Sequence, residues 1–352
     1  MLQSWYDVLA PPQISPHLLL GDIMATKPDR IVLIGVGGDS GCGKSTFLRR
    51  LHDLFSEDLI TTICLDDYHS LDRKQRKVTG ITALDPRANN FDLMAEQVAQ
   101  LKNGESILKP IYNHETGEID PPERIVPTPI VIIEGLHPFY DERVRDLLDF
   151  KLYFDLSDTI KIQWKIQRDM AERGHSYDDV LRAIESRRPD FSAYIDPQKE
   201  HADVILEILP SELPEKEGGF KIVKARLVQK ESTSNYDPAY LFDRAISDLC
   251  WRPKFSNSDP ELTFCYGHDQ YFEEKVSFLS IDGEFHPKDA HNLEEKLRNT
   301  SERTYGELAS LILKRTEFPG SNDGTGFFQV LIGLKMRQMY ERLTGQVYEQ
   351  AA

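Results

Sequence analysis

Basic residues are scarce in this chain: 42 Lys and Arg against 58 Asp and Glu leave a net charge of −16 over 352 residues. A protein of that sign repels polyanions on average, so nucleic acid is excluded as a default partner and any phosphate site must be built locally from clustered cations. Cysteine is scarce too. Four residues do not make a disulfide scaffold in a chain this long, and reduced thiols in a cytoplasmic setting are expected. No run approaches the roughly 18 consecutive apolar residues of a membrane span, so no membrane partner is expected. The opening MLQSWYDVLAPPQISPHLLLGDI has neither the basic start of a signal peptide nor the Arg/Ser richness of a plastid transit peptide. Met24 then begins MATKPDRIVLIGV, so residues 1–23 are expected to be an upstream extension, within a disordered stretch of 1–27.

With 40% apolar residues the chain has ample material for one large or two smaller cores. Ile31–Val36, Leu59–Leu65 and Ile130–Ile133 are short continuous apolar runs, as buried strands are, and Lys151–Leu156 and Asp203–Ile208 are further candidates. Helical spacing falls between them, at Lys44–Phe55, Asp92–Lys102, Thr159–Arg173 and Tyr177–Ser186. Alternation of this kind predicts an α/β fold with a mostly parallel central sheet flanked by helices. After LPSELPEKEGG the pattern changes: strands are expected at Phe220–Gln229, Leu262–Tyr266 and Lys275–Ile281, helices at Asp289–Leu297, Tyr305–Leu313 and Phe327–Leu343. A core of residues 28–212 and a mixed β/α C-terminal subdomain of 213–352, packed on it, are expected.

Gly38-Asp39-Ser40-Gly41-Cys42-Gly43-Lys44-Ser45-Thr46 spells G-x-x-x-x-G-K-[ST] between a buried strand and a helix. Glycines let backbone N–H groups turn inward around phosphate oxygens, and the helix N-terminus adds its positive end. Lys44 neutralises the outer phosphates and Ser45 offers a hydroxyl to Mg2+. The loop alone does not separate kinase from GTPase or motor; the group that receives the phosphoryl does.

Strand Leu59–Leu65 delivers Asp66 and Asp67 at its C-terminal end, where ligands sit in such sheets. A carboxylate there can take the proton of an attacking hydroxyl. Asp66 follows the strand directly and is the better base, whereas Asp67 is placed to cap a turn. Arg73-Lys74-Gln75-Arg76-Lys77 concentrates cations on an acidic protein; it is either a solvated charge run or a clamp for a substrate phosphate, and the acidic background favours the clamp. Ile130–Ile133 followed by Glu134-Gly135 has the form of a strand ending in a metal-proximal carboxylate. Lys165, Arg168, Asp169 and Arg173 fall near one helical face before Gly174. That face is either an exposed ion-paired surface or a lid carrying cations to the transferring phosphoryl.

Taken together, GDSGCGKSTF, CLDDYHSLDR, TALDPRANNFDLM, PIYNHETGEIDPPE, VIIEGLHPFYDERVRDLLDFKLYFDL, IQRDMAERGHS and FPGSNDGTGFFQ resemble the phosphoribulokinase family, in its cyanobacterial and plant branch, over about residues 28–345. The resemblance implies a P-loop kinase that passes the ATP γ-phosphoryl, with Mg2+, to the 1-hydroxyl of ribulose 5-phosphate. It implies Asp66 as base, Asp169 and Lys165 as further catalytic groups, and residues 38–46 with Arg168 and Arg173 on ATP. It also implies His69, Arg73, Lys77, Tyr112 and His114 on the sugar phosphate, and Ser45, Glu134 and Asp169 near the metal. A homodimer, assembly with glyceraldehyde-3-phosphate dehydrogenase and a small disordered regulator, and thioredoxin as reductant are implied in the same way. The alternatives are a uridine-kinase-like nucleoside kinase, against which the 73–77 cluster speaks, and a redox-gated binding partner.

Within that resemblance Cys42 and Cys64 match a regulatory disulfide pair. Cys42 at a helix N-terminus beside Lys44 is expected to have a lowered thiol pKa, and its bond to Cys64 would need loop movement to bring the Cα atoms within about 7 Å. Cys250 and Cys265, 15 positions apart, depart from the closely spaced C-terminal pair of that branch. Cys265 is expected to be strand packing.

Overall fold

The computed structural model describes residues 30–52, 59–174, 176–213, 223–230, 262–284 and 323–344. The expected extension, Cys250 and the helices expected at Asp289–Leu297 and Tyr305–Leu313 lie outside these residues.

Strand β1 (Val32–Gly38) is buried along its whole length, which only a central strand with both faces covered can be. Its even residues, Val32, Ile34 and Val36, pack with Phe47, Leu48 and Leu51 of helix α1 (Lys44–His52). The adjoining Ile31 and Leu33 pack on the other face with Met94, Val98 and Leu101 of another helix (Phe91–Lys102). The period of two thus divides one strand between two cores and sets the three-layer architecture.

Among the described residues, eight strands form the sheet. Strand β2 (Ile60–Cys64) is at one edge. A separate two-stranded antiparallel ribbon follows in the chain, β3 (Ile107–Tyr112) and β4 (Ile119–Ile125). Next come β5 (Ile130–Gly135), β6 (Phe150–Leu156) and β7 (Val204–Pro210), then β8 (Val223–Lys230), β9 (Leu262–Tyr271) and β10 (Glu274–Gly283). The spatial order is β2-β5-β1-β6-β7-β8-β10-β9. The first five strands are mutually parallel; β8, β10 and β9 continue antiparallel. The mostly parallel sheet is therefore as the sequence predicted, and it runs without a break across the change of character near residue 213.

Between β2 and β3 lie α2 (Arg73–Thr79) and α3 (Phe91–Lys102). A short α4 (Glu142–Arg145) precedes β6, and α5 (Asp158–Arg173) and α6 (Tyr177–Asp190) join β6 to β7. Helix α7 (Gly324–Thr344) lays Phe327, Phe328, Leu331 and Ile332 into the core shared with β1 and α1. Its Gln329 amide donates to the Phe47 carbonyl, so this late helix braces α1 directly behind the glycine loop.

Candidate active site

Three neighbouring parallel strands end at the same rim. β5 lies between β1 and β2, with Val36 opposite Glu134 and Glu134 opposite Cys64. The glycine loop after β1, the carboxylate of β5 and the Asp66 turn after β2 are thereby brought together, as the sequence order alone does not show.

The loop leaves β1 at Gly38, whose φ of +141° and 2.7 Å approach to the Phe154 carbonyl for an added Cβ admit no side chain. Lys44 is buried, and its ammonium donates to the carbonyls of Gly38 and Asp39, both at 2.8 Å, with Cys42 Sγ at 3.5 Å. Burial alone would lower the Lys44 pKa, but the surrounding Cys42, Glu134, Asp66 and Asp39 outweigh it and hold the ammonium protonated. Ser45 and Thr46 are exposed at the start of α1. The Ser45 hydroxyl donates to Glu134 Oε1 at 3.5 Å. Burial raises the Glu134 pKa; Lys44 opposes that rise and Asp66 adds to it.

On the acceptor side, β2 passes into a 3-10 turn, Leu65–Tyr68. The two acids of this turn have different fates. Asp67 accepts the Tyr112 N–H at 2.8 Å and the ammonium of Lys109, which fastens the β3–β4 ribbon to the sheet rather than capping a turn. The half-buried Asp66 carboxylate has no hydrogen-bond donor among the described residues. It faces Lys44, Glu134, Cys64, His69 and His137 closely enough to influence all five electrostatically.

His69 is buried, its Nδ1 2.8 Å from Asn89 Oδ1. The amide oxygen can only accept, so Nδ1 carries the hydrogen and Nε2 is the free nitrogen of the neutral ring. Burial lowers the His69 pKa, Asp66 works against that and Arg76 with it. Tyr112 meets the rings of His69 and His114 edge-on, at 4.9 and 5.1 Å between centroids. Its hydroxyl accepts from Arg76 at 2.7 Å.

The cation cluster forms α2, held by a capping box between Asp72 and Gln75. Arg73 donates to the carbonyls of His114 and Glu115, beneath Gly117, where a Cβ would lie 2.6 Å from that of Arg73. Lys74 pairs with Glu118 at 2.9 Å. Lys77 is exposed and has no partner among the described residues. Three of the four cations of the expected clamp, Arg73, Lys74 and Arg76, are therefore bonded to the ribbon.

Helix α5 runs past the glycine loop. Trp164 stands 3.4 Å from where a Cβ on Gly43 would sit, and Lys161, Lys165 and Asp169, four apart, form a buried polar edge. Lys165 and Asp169 both have bonded or electrostatic partners. Arg168 and Arg173 lie on the same helix, with side chains outside the described set.

The expected low thiol pKa at Cys42 is overturned. Cys42 is 2% exposed, and burial pushes its pKa up; Lys44 opposes this and Asp39 reinforces it. Burial, Asp66 and Glu134 push Cys64 higher still. Both thiols are free. Cys265 is also free, and it is exposed on β9 rather than packed.

Sequence reasoning missed His137, Lys109, Asn89 and Lys161. His137 is 2% exposed and donates from Nε2 to the Leu84 carbonyl at 2.9 Å. It stands three residues after Glu134, a position that the strand-end pattern could have flagged.

Residues 33–214 match the model of the phosphoribulokinase / uridine kinase family. A phosphoribulokinase of Synechocystis sp. is 57% identical over 332 residues, covering 92% of this chain and 98% of that protein. The chain belongs to the phosphoribulokinase / uridine kinase family. Within this family, a chloroplastic phosphoribulokinase of Arabidopsis thaliana is 50% identical over 341 residues, 91% of this chain and 86% of that one. A uridine kinase of Borrelia duttonii is 34% identical but over only 181 residues, 50% of this chain. The solved phosphoribulokinase from Rhodobacter spheroides shares the fold, with a TM-score of 0.50 at 14% identity over 82% of this chain and 100% of that one.

Proposed function

We propose that this protein is an ATP-dependent kinase that phosphorylates the 1-hydroxyl of ribulose 5-phosphate to give ribulose 1,5-bisphosphate. The observation that carries the reading is the Asp66 carboxylate, without a donor among the described residues and beside Lys44 and Glu134. Phosphoribulokinase likeness over nine-tenths of the chain supports the sugar phosphate as acceptor, where likeness to a uridine kinase stops at half.

In this reading Lys44 exchanges the Gly38 and Asp39 carbonyls for the outer phosphates of ATP. Asp66 takes the proton of the 1-hydroxyl as that oxygen bonds to the γ-phosphorus and the bond to the β,γ-bridging oxygen breaks, releasing ADP. His69, Arg73, Lys77, Tyr112 and His114 hold the sugar phosphate. Lys165, Asp169, Arg168 and Arg173 approach the transferring group from α5.

No group of three or more metal-ligating side chains is present among the described residues. The Ser45 hydroxyl and Glu134 carboxylate are hard oxygen donors of the kind that hold Mg2+ once phosphates and water complete its shell, and the bound ion would neutralise phosphate charge. Asp169 is assigned to the same region.

The reading includes a Cys42–Cys64 switch. Forming the S–S bond passes two electrons and two protons to a disulfide oxidant, and a thioredoxin-class dithiol as reductant returns them and restores both thiols. Cys42 hangs from the loop that Lys44 closes, and Cys64 precedes the Asp66 turn, so one bond would disturb both halves of the site. A homodimer in the cytoplasm, and its assembly with glyceraldehyde-3-phosphate dehydrogenase and a small disordered regulator, complete the proposal. Among the described residues no helix is long and apolar enough to cross a membrane.

The test is ADP release with ribulose 5-phosphate, with uridine and with no acceptor, under reducing conditions. Turnover only with the sugar phosphate is expected; turnover only with uridine overturns the reading.

A further inference from the structure

The glycine loop contains a carboxylate where one is least expected. Asp39 immediately follows β1, is buried, and belongs to the turn whose N–H groups should face the phosphates of ATP. Its Oδ1 already accepts the Ser40 N–H at 2.6 Å, so it competes for a donor that an anionic ligand would use. An unscreened charge there would repel a triphosphate at close range in a site with little water.

The screening partner is present. Lys161, from the second turn of α5, sets its ammonium 3.2 Å from Asp39 Oδ2, with both side chains about nine-tenths buried. The same ammonium stands 3.5 Å over the centroid of the Phe191 ring. Phe191 opens a π-helical segment, Phe191–Ile195, that follows Pro189 at the end of α6. The ammonium is therefore held from two sides, by a carboxylate and by an aromatic face. It is fixed against Asp39, unlike Lys44, whose present partners are carbonyls it can exchange for phosphate.

We infer that Lys161 is a positioning residue for the nucleotide: it neutralises and anchors Asp39 so that the glycine loop can accept a triphosphate, and it ties the loop to the helix that carries Lys165 and Asp169. The second part is supported by Trp164, one turn further along the same helix, whose ring stands 3.4 Å from where a Cβ on Gly43 would sit. The ion pair ties α5 to the loop, with Trp164 close beside it. Lys161 thus acts through Asp39 and makes no contact with the reacting atoms.

The inference rests on the kinase reading, and equilibrium binding without acceptor separates the two. Mg·ATP affinity is measured by calorimetry on the full chain for the wild type, K161M, K161Q, K161R, D39N and the double variant D39N/K161M. In the wild-type background K161M is expected to weaken binding about tenfold or more and K161R much less, because screening needs the charge. In the D39N background, adding K161M is expected to change affinity less than about twofold, because the charge to be screened is gone. The apparent KM for the sugar phosphate should stay level in K161M while that for ATP rises. An equal loss in both backgrounds overturns the inference, since Lys161 would then act on the nucleotide or on the helix itself; so does no loss in either. If K161M does not fold, K161Q in the two backgrounds reads the same coupling. Failure of the wild type to bind ATP would overturn the kinase reading instead.

Discussion

Asp67 and Lys109 form a buried ion pair that fastens the end of β2 to the β3–β4 ribbon, and the Tyr112 N–H completes the Asp67 carboxylate at 2.8 Å. The adjacent Asp66 carboxylate has no such bond among the described residues. The same substitution at these neighbours should therefore do different things. Asp67→Asn leaves Lys109 with the half-exposed Glu123, 3.0 Å away, as its remaining carboxylate among the described residues, beside the Pro110 carbonyl at 3.3 Å, and should cost about 3 kcal/mol of stability. Asp66→Asn should leave the melting temperature nearly unchanged and reduce kcat by on the order of 10²–10⁴. Thermal unfolding and steady-state kinetics on both variants decide it; a strongly destabilised Asp66→Asn with near-normal kcat would move the base elsewhere.

The thiol chemistry should show the effect of burial. Both Cys42 and Cys64 have pKa values above the ordinary 9.0, so little thiolate exists near neutrality and exchange should be slow there. Oxidative inactivation by a disulfide reagent should accelerate steadily from about pH 7 through the alkaline range instead of levelling off below 9.0. Cys64→Ser should abolish the inactivation. A rate that plateaus near about pH 7 would contradict the buried-thiol picture.

Acid sensitivity has a named source. Burial, the leading cause, lowers the His137 pKa from 6.5 to about 4, and His69 is lowered in the same direction for the same first reason. Below 6.5 the unfolded chain binds a proton that the folded one refuses. The His137 contribution is thus complete above 6.5 and is lost as pH falls toward 4. By about pH 5 this amounts to roughly 2 kcal/mol from His137. His137→Gln should flatten the fall in melting temperature between about pH 7 and about pH 5; an unchanged slope would assign the acid limb to other groups.

Glu134 should govern the metal requirement. Its carboxylate sits 3.5 Å from the Ser45 hydroxyl at the loop. Glu134→Gln is expected to raise the Mg2+ concentration for half-maximal activity by at least on the order of tenfold, with a smaller rise for Ser45→Ala. Titration of Mg2+ at fixed total ATP reads this directly.

The parallel half of the fold was legible because its strands are short continuous apolar runs, and Gly38–Ser45 places itself by the glycines it requires. The β3–β4 ribbon was not. ILKPIY carries Pro110 at a register shift, and IDPPERI is mostly exposed, so neither shows the alternation of a half-buried strand. What fixes the ribbon is Asp67–Lys109, a contact between residues 42 apart in sequence that no local pattern reveals. Helix α2 was hidden for a related reason: none of its residues is buried, so it has no apolar period, and Asp72 and Gln75 alone define its start. In the site, Asp66 and Glu134 were legible as strand-end residues, and Lys44 by the glycine loop that precedes it. Lys161 did not, although it lies four before Lys165 on the same helical edge. The Cys42 expectation failed because helix position and a nearby cation were visible in the sequence, whereas the loss of hydration was not.

The ribbon hangs from the sheet rim as an appendage with its own two-stranded ladder. It carries Tyr112 and His114 and grips Arg73, while the proposed kinase reading lays phosphoryl transfer out on β1, β2 and β5. In the kinase reading, part of acceptor recognition is therefore carried on backbone separate from the transfer chemistry, and His69 on the β2 turn belongs to both. In the kinase reading, exchanging the hairpin would change some of the contacts to the acceptor while β1 and β5 stay in place.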